Sequence, residues 1–280
     1  MAKSIRIDSH QHFFKPDQVY YSWMKPEWPI ARDFLPENLK PLLERHGITK
    51  TVLVQAAASE EENGFTLDLA HRNDFIAGVV IWLDMESPQF PERLSQYMAD
   101  PKFLGIRPMI ESIPDDDWML RPTVKRSFRL LLEKKVCFDF LTFPRHLPHV
   151  LRILKEYPGI RAVIDHISKP AIRDGILEPW ADLMAQVAAY PNVCCKLSGM
   201  ITEAHHQSWK PGDLSPYIRH VLSVFGPDRC MFGSDWPVCL LAGSYDQVVD
   251  ALQRNLPALG DDEIGDIFGG TAVRFYGLAQ

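Results

Sequence analysis

The chain has 280 residues, 46% hydrophobic and 24% charged, an ordinary globular composition that is long enough to bury one large core without division into domains. A net charge of −6 and a pI near 5.9 give no cluster of Lys and Arg for a nucleic-acid backbone or an anionic membrane surface. The longest apolar run, Phe75–Leu83, is far short of the roughly 20 residues that span a bilayer. Met1 leads almost directly into Ile5-Arg6-Ile7-Asp8 with no signal-peptide core, so a cytoplasmic protein is expected.

Short β-branched or apolar runs alternate with stretches of helical spacing along the whole chain. A strand at Ile5–Asp8 leads into Ser9-His10-Gln11-His12 and a long loop, Phe13–Asp33, rich in Tyr and Trp between prolines. A helix at Pro36–His46 and a strand at Thr51–Gln55 follow, then helix Glu60–Asn73, strand Ala77–Leu83, helix Pro91–Asp100 and strand Phe103–Arg107. The second half continues with helix Thr123–Lys134, strand Val136–Leu141, helix His149–Tyr157, strand Ala162–Asp165, helix Pro179–Tyr190 and strand Val193–Leu197. Helix Ser215–Phe225, strand Cys230–Gly233 and helix Gln247–Leu256 complete the series. Eight strands alternating with eight helices, the strands apolar on both faces, predict a parallel sheet covered by helices. The count of eight predicts closure into a (β/α)₈ barrel over a single domain, residues 1–280. An open doubly wound sheet would want a Gly-rich turn after its first strand, where this chain carries imidazoles.

Five cysteines, an odd number with no CxxC spacing and with Cys194 and Cys195 adjacent in a strand, read as small reduced hydrophobes rather than a disulfide framework.

Catalytic groups of such barrels come from the C-terminal ends of different strands. There the sequence places His10 and His12, two apart and therefore on one face, Arg107 after the fourth strand, Asp165-His166 after the sixth, Lys196 near the end of the seventh and Asp235 after the eighth. Paired imidazoles at this spacing suit a divalent metal such as zinc, or hydrogen-bond a carbonyl without one.

Ile7-Asp8-Ser9-His10-Gln11-His12, Asp165-His166-Ile167-Ser168-Lys169-Pro170, Lys196-Leu197-Ser198-Gly199 and Phe232-Gly233-Ser234-Asp235-Trp236-Pro237, in this order, resemble the amidohydrolase-2 branch of the amidohydrolase superfamily. Within that branch the chain is most similar to the sugar lactonases, such as L-fuconolactonase and L-rhamnonolactonase. The resemblance implies an α/β barrel that opens a small sugar lactone. It puts the family's first-strand pair on His10 and His12, its sixth-strand histidine on His166, its eighth-strand aspartate on Asp235 and a substrate-binding arginine on Arg107. The fourth and fifth strands end in Arg107-Pro108 and Phe140-Leu141-Thr142 without a bridging Lys or Glu, so one metal or none is expected rather than two.

On that basis Asp235 is expected as general base toward water and later as acid toward the leaving ring oxygen. A single zinc would be held by His10, His12 and Asp235; without it, His166 and the histidine pair would donate to the oxyanion. Arg107 and Lys196 would supply positive charge, and Trp23, Trp28 and Trp236 would stack on a sugar face. His205-His206 and Glu203, after the seventh strand, either reach the mouth or are solvated, the solvated reading being preferred for at least one of the histidines; the acidic run Asp115-Asp116-Asp117 reads as a solvated loop, with Trp118 a candidate cover for the site. Three alternatives stay open: a metal-dependent decarboxylase of a small aromatic acid, a hydrolase of a dicarboxylic or aromatic lactone, and a non-enzymatic sugar-binding barrel. A homodimer is the expected assembly.

Overall fold

A computed structural model describes residues 5–279. Its strands are β1 (Ile7–Gln11), β2 (Lys50–Val54), β3 (Ile76–Ile81), β4 (Phe103–Ile106), β5 (Cys137–Phe140), β6 (Ala162–Ile164), β7 (Val193–Leu197) and β8 (Cys230–Phe232). Each pairs parallel with the next, in the order β1 to β8. The seam between β8 and β1 is joined at the C-terminal end of the strands. There the Asp235 amide donates to the His10 carbonyl at 2.8 Å, the His12 amide to the Trp236 carbonyl at 2.7 Å, and the Ser9 hydroxyl to the Phe232 carbonyl at 2.6 Å. The (β/α)₈ barrel expected from the alternation is the observed fold.

The helices α1 (Pro36–Arg45), α2 (Glu60–Arg72), α3 (Phe90–Met98), α4 (Pro122–Lys134), α5 (Leu147–Glu156), α6 (Trp180–Ala188), α7 (Pro211–Phe225) and α8 (Tyr245–Asn255) lie between or after the strands. α7 starts at Pro211, not Ser215: Pro211 occupies the first helical turn, and the helix tolerates Pro216 inside it, so residues that look like breakers are absorbed. β1 is also displaced. It runs to Gln11 rather than Asp8, because the polar Ser9-His10-Gln11 stays extended between β2 on one side and Asp235-Trp236 on the other.

Two apolar layers result. Residues facing the helices form the larger core, Cys195 among them. Val52, Val54, Val80, Val163 and Met231 point into the barrel, with Cys194 packed at the edge of that cluster, which is the alternation expected of adjacent strand residues. All five cysteines are free thiols. The lower end of the barrel is closed by a segment the periodicity did not signal. It comprises α9 (Asp261–Gly265), a π turn at Asp266–Gly270 and α10 (Thr271–Tyr276), whose Ala272, Phe275 and Tyr276 join the interior cluster. Gly269 permits this, since a Cβ there would collide with the Ile5 carbonyl. No helix among the described residues is long and apolar enough to cross a membrane.

Candidate active site

The mouth of the barrel is built from backbone conformations that non-glycine residues rarely adopt. His166, Ile167, Ser168 and Lys169 follow β6 with φ of 53, 48, 60 and 48°, and Asp235 follows β8 with φ of 56°. Left-handed φ costs of order 1–3 kcal/mol per residue and is an outlier for a β-branched side chain, so the surroundings must hold it. They do so through several bonds. The Trp180 indole donates to the Ile167 carbonyl at 2.7 Å, the Ser168 and Thr142 hydroxyls bond at 2.9 Å, and Ser198 Oγ bonds His166 Nδ1 at 2.9 Å. Gly199, at φ 63°, lies so close to the His166 ring that a Cβ would overlap it. The turn throws both His166 and Lys169 toward the barrel axis.

Three imidazoles converge on one carboxylate oxygen. His12 Nε2, His166 Nε2 and His10 Nε2 lie 3.2, 3.8 and 3.9 Å from Asp235 Oδ1. His12 Nδ1 lies 2.7 Å from the Val54 carbonyl, which can only accept; the proton of a neutral His12 is therefore on Nδ1, and its Nε2 lone pair faces Asp235. Two acceptors at 3.2 Å call for a shared proton or a cation between them.

His10 is held from below. Its Nδ1 is 3.4 Å from Asp165 Oδ1 and 3.2 Å from Lys196 Nζ, while Arg107 Nη1 approaches Nε2 at 3.2 Å. Burial, reinforced by Lys196 and Arg107, pushes the His10 imidazole well below its ordinary value. Burial and neighbouring His10 do the same to His166, and burial lowers His12. In each case burial favours the neutral ring.

His10, His166 and Asp235 each offer a ligand atom within 4.8 Å of the others. In a tetrahedral zinc site with bonds of about 2.0–2.1 Å the donors stand roughly 3.3 Å apart, so a small contraction brings this set to coordination distance. The sequence suggests His10, His12 and Asp235 as ligands; His166 joins His10 and Asp235 in this grouping, and His12 Nε2 stands nearest to Asp235 at 3.2 Å with its Nδ1 turned to the Val54 carbonyl.

Above these groups opens a pocket lined by His12, Trp23, Arg107, His166, Lys169 and Asp235, with Glu111 beside Lys169. Of the other anticipated contacts, Arg107 reaches the pocket while its guanidinium also bonds Asp165 at 3.3 Å and the Gln55 carbonyl. Lys196 does not reach it. Fully buried, it pairs with Asp139 at 2.5 Å and Asp165 at 3.0 Å beneath His10, because its place in β7, between the helix-facing Cys195 and Leu197, turns it into the barrel.

The tryptophans divide. Trp23 lines the pocket with its indole N–H bonded to the Ala56 carbonyl. Trp28 packs against Trp23 outside the lining, and Trp236 is buried between Phe13 and Phe34 as a packed cover rather than a stacking surface. Trp118 is buried with its indole bonded to Glu86, away from the pocket. The run Asp115-Asp116-Asp117 is tied to Arg121, Arg145, His146 and His149 rather than free in solvent, and His205 and His206 are exposed.

Asp139, Asp165, Lys169 and Glu111 had been given no role. Asp139 was detectable as a lone charge inside the apolar run Cys137-Phe138-Asp139-Phe140, and Lys169 as part of the motif that carries His166. Burial pushes Asp139 up to about 6 against the pull of Lys196. At Asp165 burial also opposes ionisation, but Lys196 and Arg107 outweigh it and hold the carboxyl below its usual range.

The chain is similar to known proteins over nearly its whole length. The chain is 40% identical over 286 aligned residues to L-fucono-1,5-lactonase of Burkholderia ambifaria, covering 98% of this chain and 96% of that protein. It is 36% identical to L-fucono-1,5-lactonase of Burkholderia multivorans, covering 99% and 97%. The crystal structure of an amidohydrolase from Burkholderia multivorans with bound zinc superposes with a TM-score of 0.92 at 36% identity, over 98% of this chain and all of that one. The amidohydrolase family model matches residues 7–278, and the chain belongs to the amidohydrolase family.

Proposed function

We propose that this protein hydrolyses a small sugar lactone, an aldonolactone such as L-fucono- or L-rhamnonolactone, to the aldonic acid. The observation that carries the reading is the convergence of three imidazoles on Asp235 at the floor of a pocket that also holds Arg107. Relatives of 40% and 36% identity named as lactonases support the substrate class.

Opening the ring requires water to add to the ester carbonyl, the ring C–O bond to break and a proton to reach the departing oxygen. Asp235 takes the proton of the attacking water and returns it to the ring oxygen, and the left-handed backbone at this residue fixes the carboxylate against the imidazoles. Arg107 offers guanidinium protons to the carbonyl oxygen as negative charge develops there. Trp23 covers one side of the ring and sheds water from it.

The donor set fits a single zinc ion: the His10 and His166 imidazoles and the Asp235 carboxylate match the ligand types zinc takes, and His12 Nε2, facing the same carboxylate oxygen, is a further donor. When bound there, such an ion would lower the pKa of water and polarise the carbonyl.

The test is a pH-indicator assay on a panel of aldonolactones, run on native and chelator-treated protein with metal content measured in parallel. Acid release above the spontaneous rate is expected for a neutral sugar lactone, with zinc near one equivalent before chelation. Acid release from none of the lactones would overturn the reading and direct the search to CO₂ release from aromatic acids.

A further inference from the structure

One wall of the pocket carries charged groups that the hydrolytic steps do not use. Glu111 follows β4, Lys169 ends the left-handed turn after β6, and Glu203 follows β7, so three separate strand ends bring them together. Lys169 Nζ stands 2.7 Å from Glu111 Oε2 and 3.7 Å from Glu203 Oε1. Glu111 and Lys169 line the pocket with Asp235 and His166, and Glu203 lines the adjoining recess, which shares Lys169.

On this wall two carboxylates stand against one ammonium, which leaves most of the carboxylate lone pairs unspent, while Arg107 lies elsewhere in the pocket and Arg145 and Arg173 line the recess. Glu111 Oε2 is buried and takes no hydrogen bond of proper geometry although it is paired with Lys169. Burial raises Glu203 above its usual value against the pull of Lys169, with smaller contributions from Glu111 and Asp235. For an uncharged ligand rich in hydroxyls such a wall is complementary: carboxylates accept from O–H groups and the ammonium donates to their oxygens. A ligand carboxylate placed against this wall would meet Glu111 and Glu203, and with Arg107 turned to the reacting carbonyl only Lys169 would be left to pair with it, which disfavours binding.

We propose that Glu111, Lys169 and Glu203 are the specificity-determining residues of this site, hydrogen-bonding the ring hydroxyls of a neutral polyhydroxylated lactone and turning away lactones that carry a carboxylate. The inference rests on the lactonase reading and sharpens it. The strained turn serves this role as well, because Ile167 and Ser168 set a fixed spacing between His166 at the reaction centre and Lys169 at the hydroxyl-binding wall.

The experiment compares three lactones: L-fucono-1,5-lactone, unsubstituted δ-valerolactone and an aldarolactone bearing a free carboxylate. Native protein, Glu111→Gln and Glu203→Gln are assayed on each, with kcat and KM resolved. The expected result for Glu111→Gln is a fall of about 10- to 100-fold in the ratio of kcat/KM for the sugar lactone to that for δ-valerolactone, carried mainly by KM. Relative activity on the aldarolactone should rise in both variants. An unchanged ratio, or a loss on the sugar lactone carried by kcat alone, overturns the proposal. If δ-valerolactone proves too slow to measure, the KM-against-kcat split on the sugar lactone decides in the same way. Failure of the lactonase reading looks different, since the native protein would then open none of the three.

Discussion

Replacing Lys196 by Met tests whether the charge network under the site is closed within the barrel. The network contains two cations and two anions. Lys196 contacts Asp139 and Asp165, Arg107 takes the other oxygen of Asp165 at 3.3 Å, and the Tyr276 hydroxyl donates to Asp139 at 2.9 Å. Lys196, Asp139 and Asp165 are completely buried, so no water can replace the lost ammonium. Breaking one partner of a buried pair leaves an uncompensated charge and costs about 3–5 kcal/mol.

The cost should depend on pH. The folded-state pKa of Asp139 already stands at about 6, above the ordinary 3.8, and rises further without Lys196. The folded variant therefore binds a proton that the unfolded chain has released, and its penalty is full above the folded pKa and relieved as pH falls through it. Urea unfolding should show a loss of about 3–5 kcal/mol at pH 8 and a smaller one at pH 5.5. The double variant Lys196→Met with Asp139→Asn should be more stable than Lys196→Met alone at pH 8. A loss below about 1 kcal/mol that is equal at both pH values would refute the closed network.

Other expectations follow from single contacts. Trp236→Leu should cost about 3 kcal/mol in urea unfolding, because the indole is packed between Phe13 and Phe34; a rise in KM with stability intact would return it to the pocket. Lys135 caps α4 with φ 57° on the exposed surface, so Lys135→Gly should stabilise by about 0.5–1 kcal/mol in thermal or urea melts, and destabilisation would contradict the left-handed cap. His166 is held well below 6.5 in the folded chain, so as pH falls below 6.5 the unfolded state gains the proton first and native stability drops. In chelator-treated protein the stability gap between native and His166→Gln should therefore shrink by about 1 kcal/mol between pH 6.5 and 5.5, and a constant gap would show an unperturbed imidazole.

The barrel was legible because eight apolar runs with matching helical stretches leave few other architectures, and because His10, His166 and Asp235 fall at strand ends where side chains converge. Three things were not legible, each for a physical reason. The direction of Lys196 depends on which face of β7 turns into the barrel, and an apolar run with one lysine does not announce it. The burial of Trp236 depends on Phe13 and Phe34, brought to it by the long loop after β1. The approach of His166 to His10 and Asp235 depends on a left-handed turn of four non-glycine residues, a conformation no local propensity favours and only tertiary contacts enforce. The plug formed by α10 escaped notice because its short helix has meaning only beneath a closed barrel.

The central claim is that Asp235 carries the proton in opening a neutral sugar lactone, and the most direct test is acid release from L-fucono-1,5-lactone by native protein and Asp235→Asn, side by side and corrected for spontaneous hydrolysis. The account predicts release by the native protein and a loss of at least about 100-fold in kcat for the variant, with the fold intact by circular dichroism. An Asp235→Asn protein that retained native turnover would contradict it.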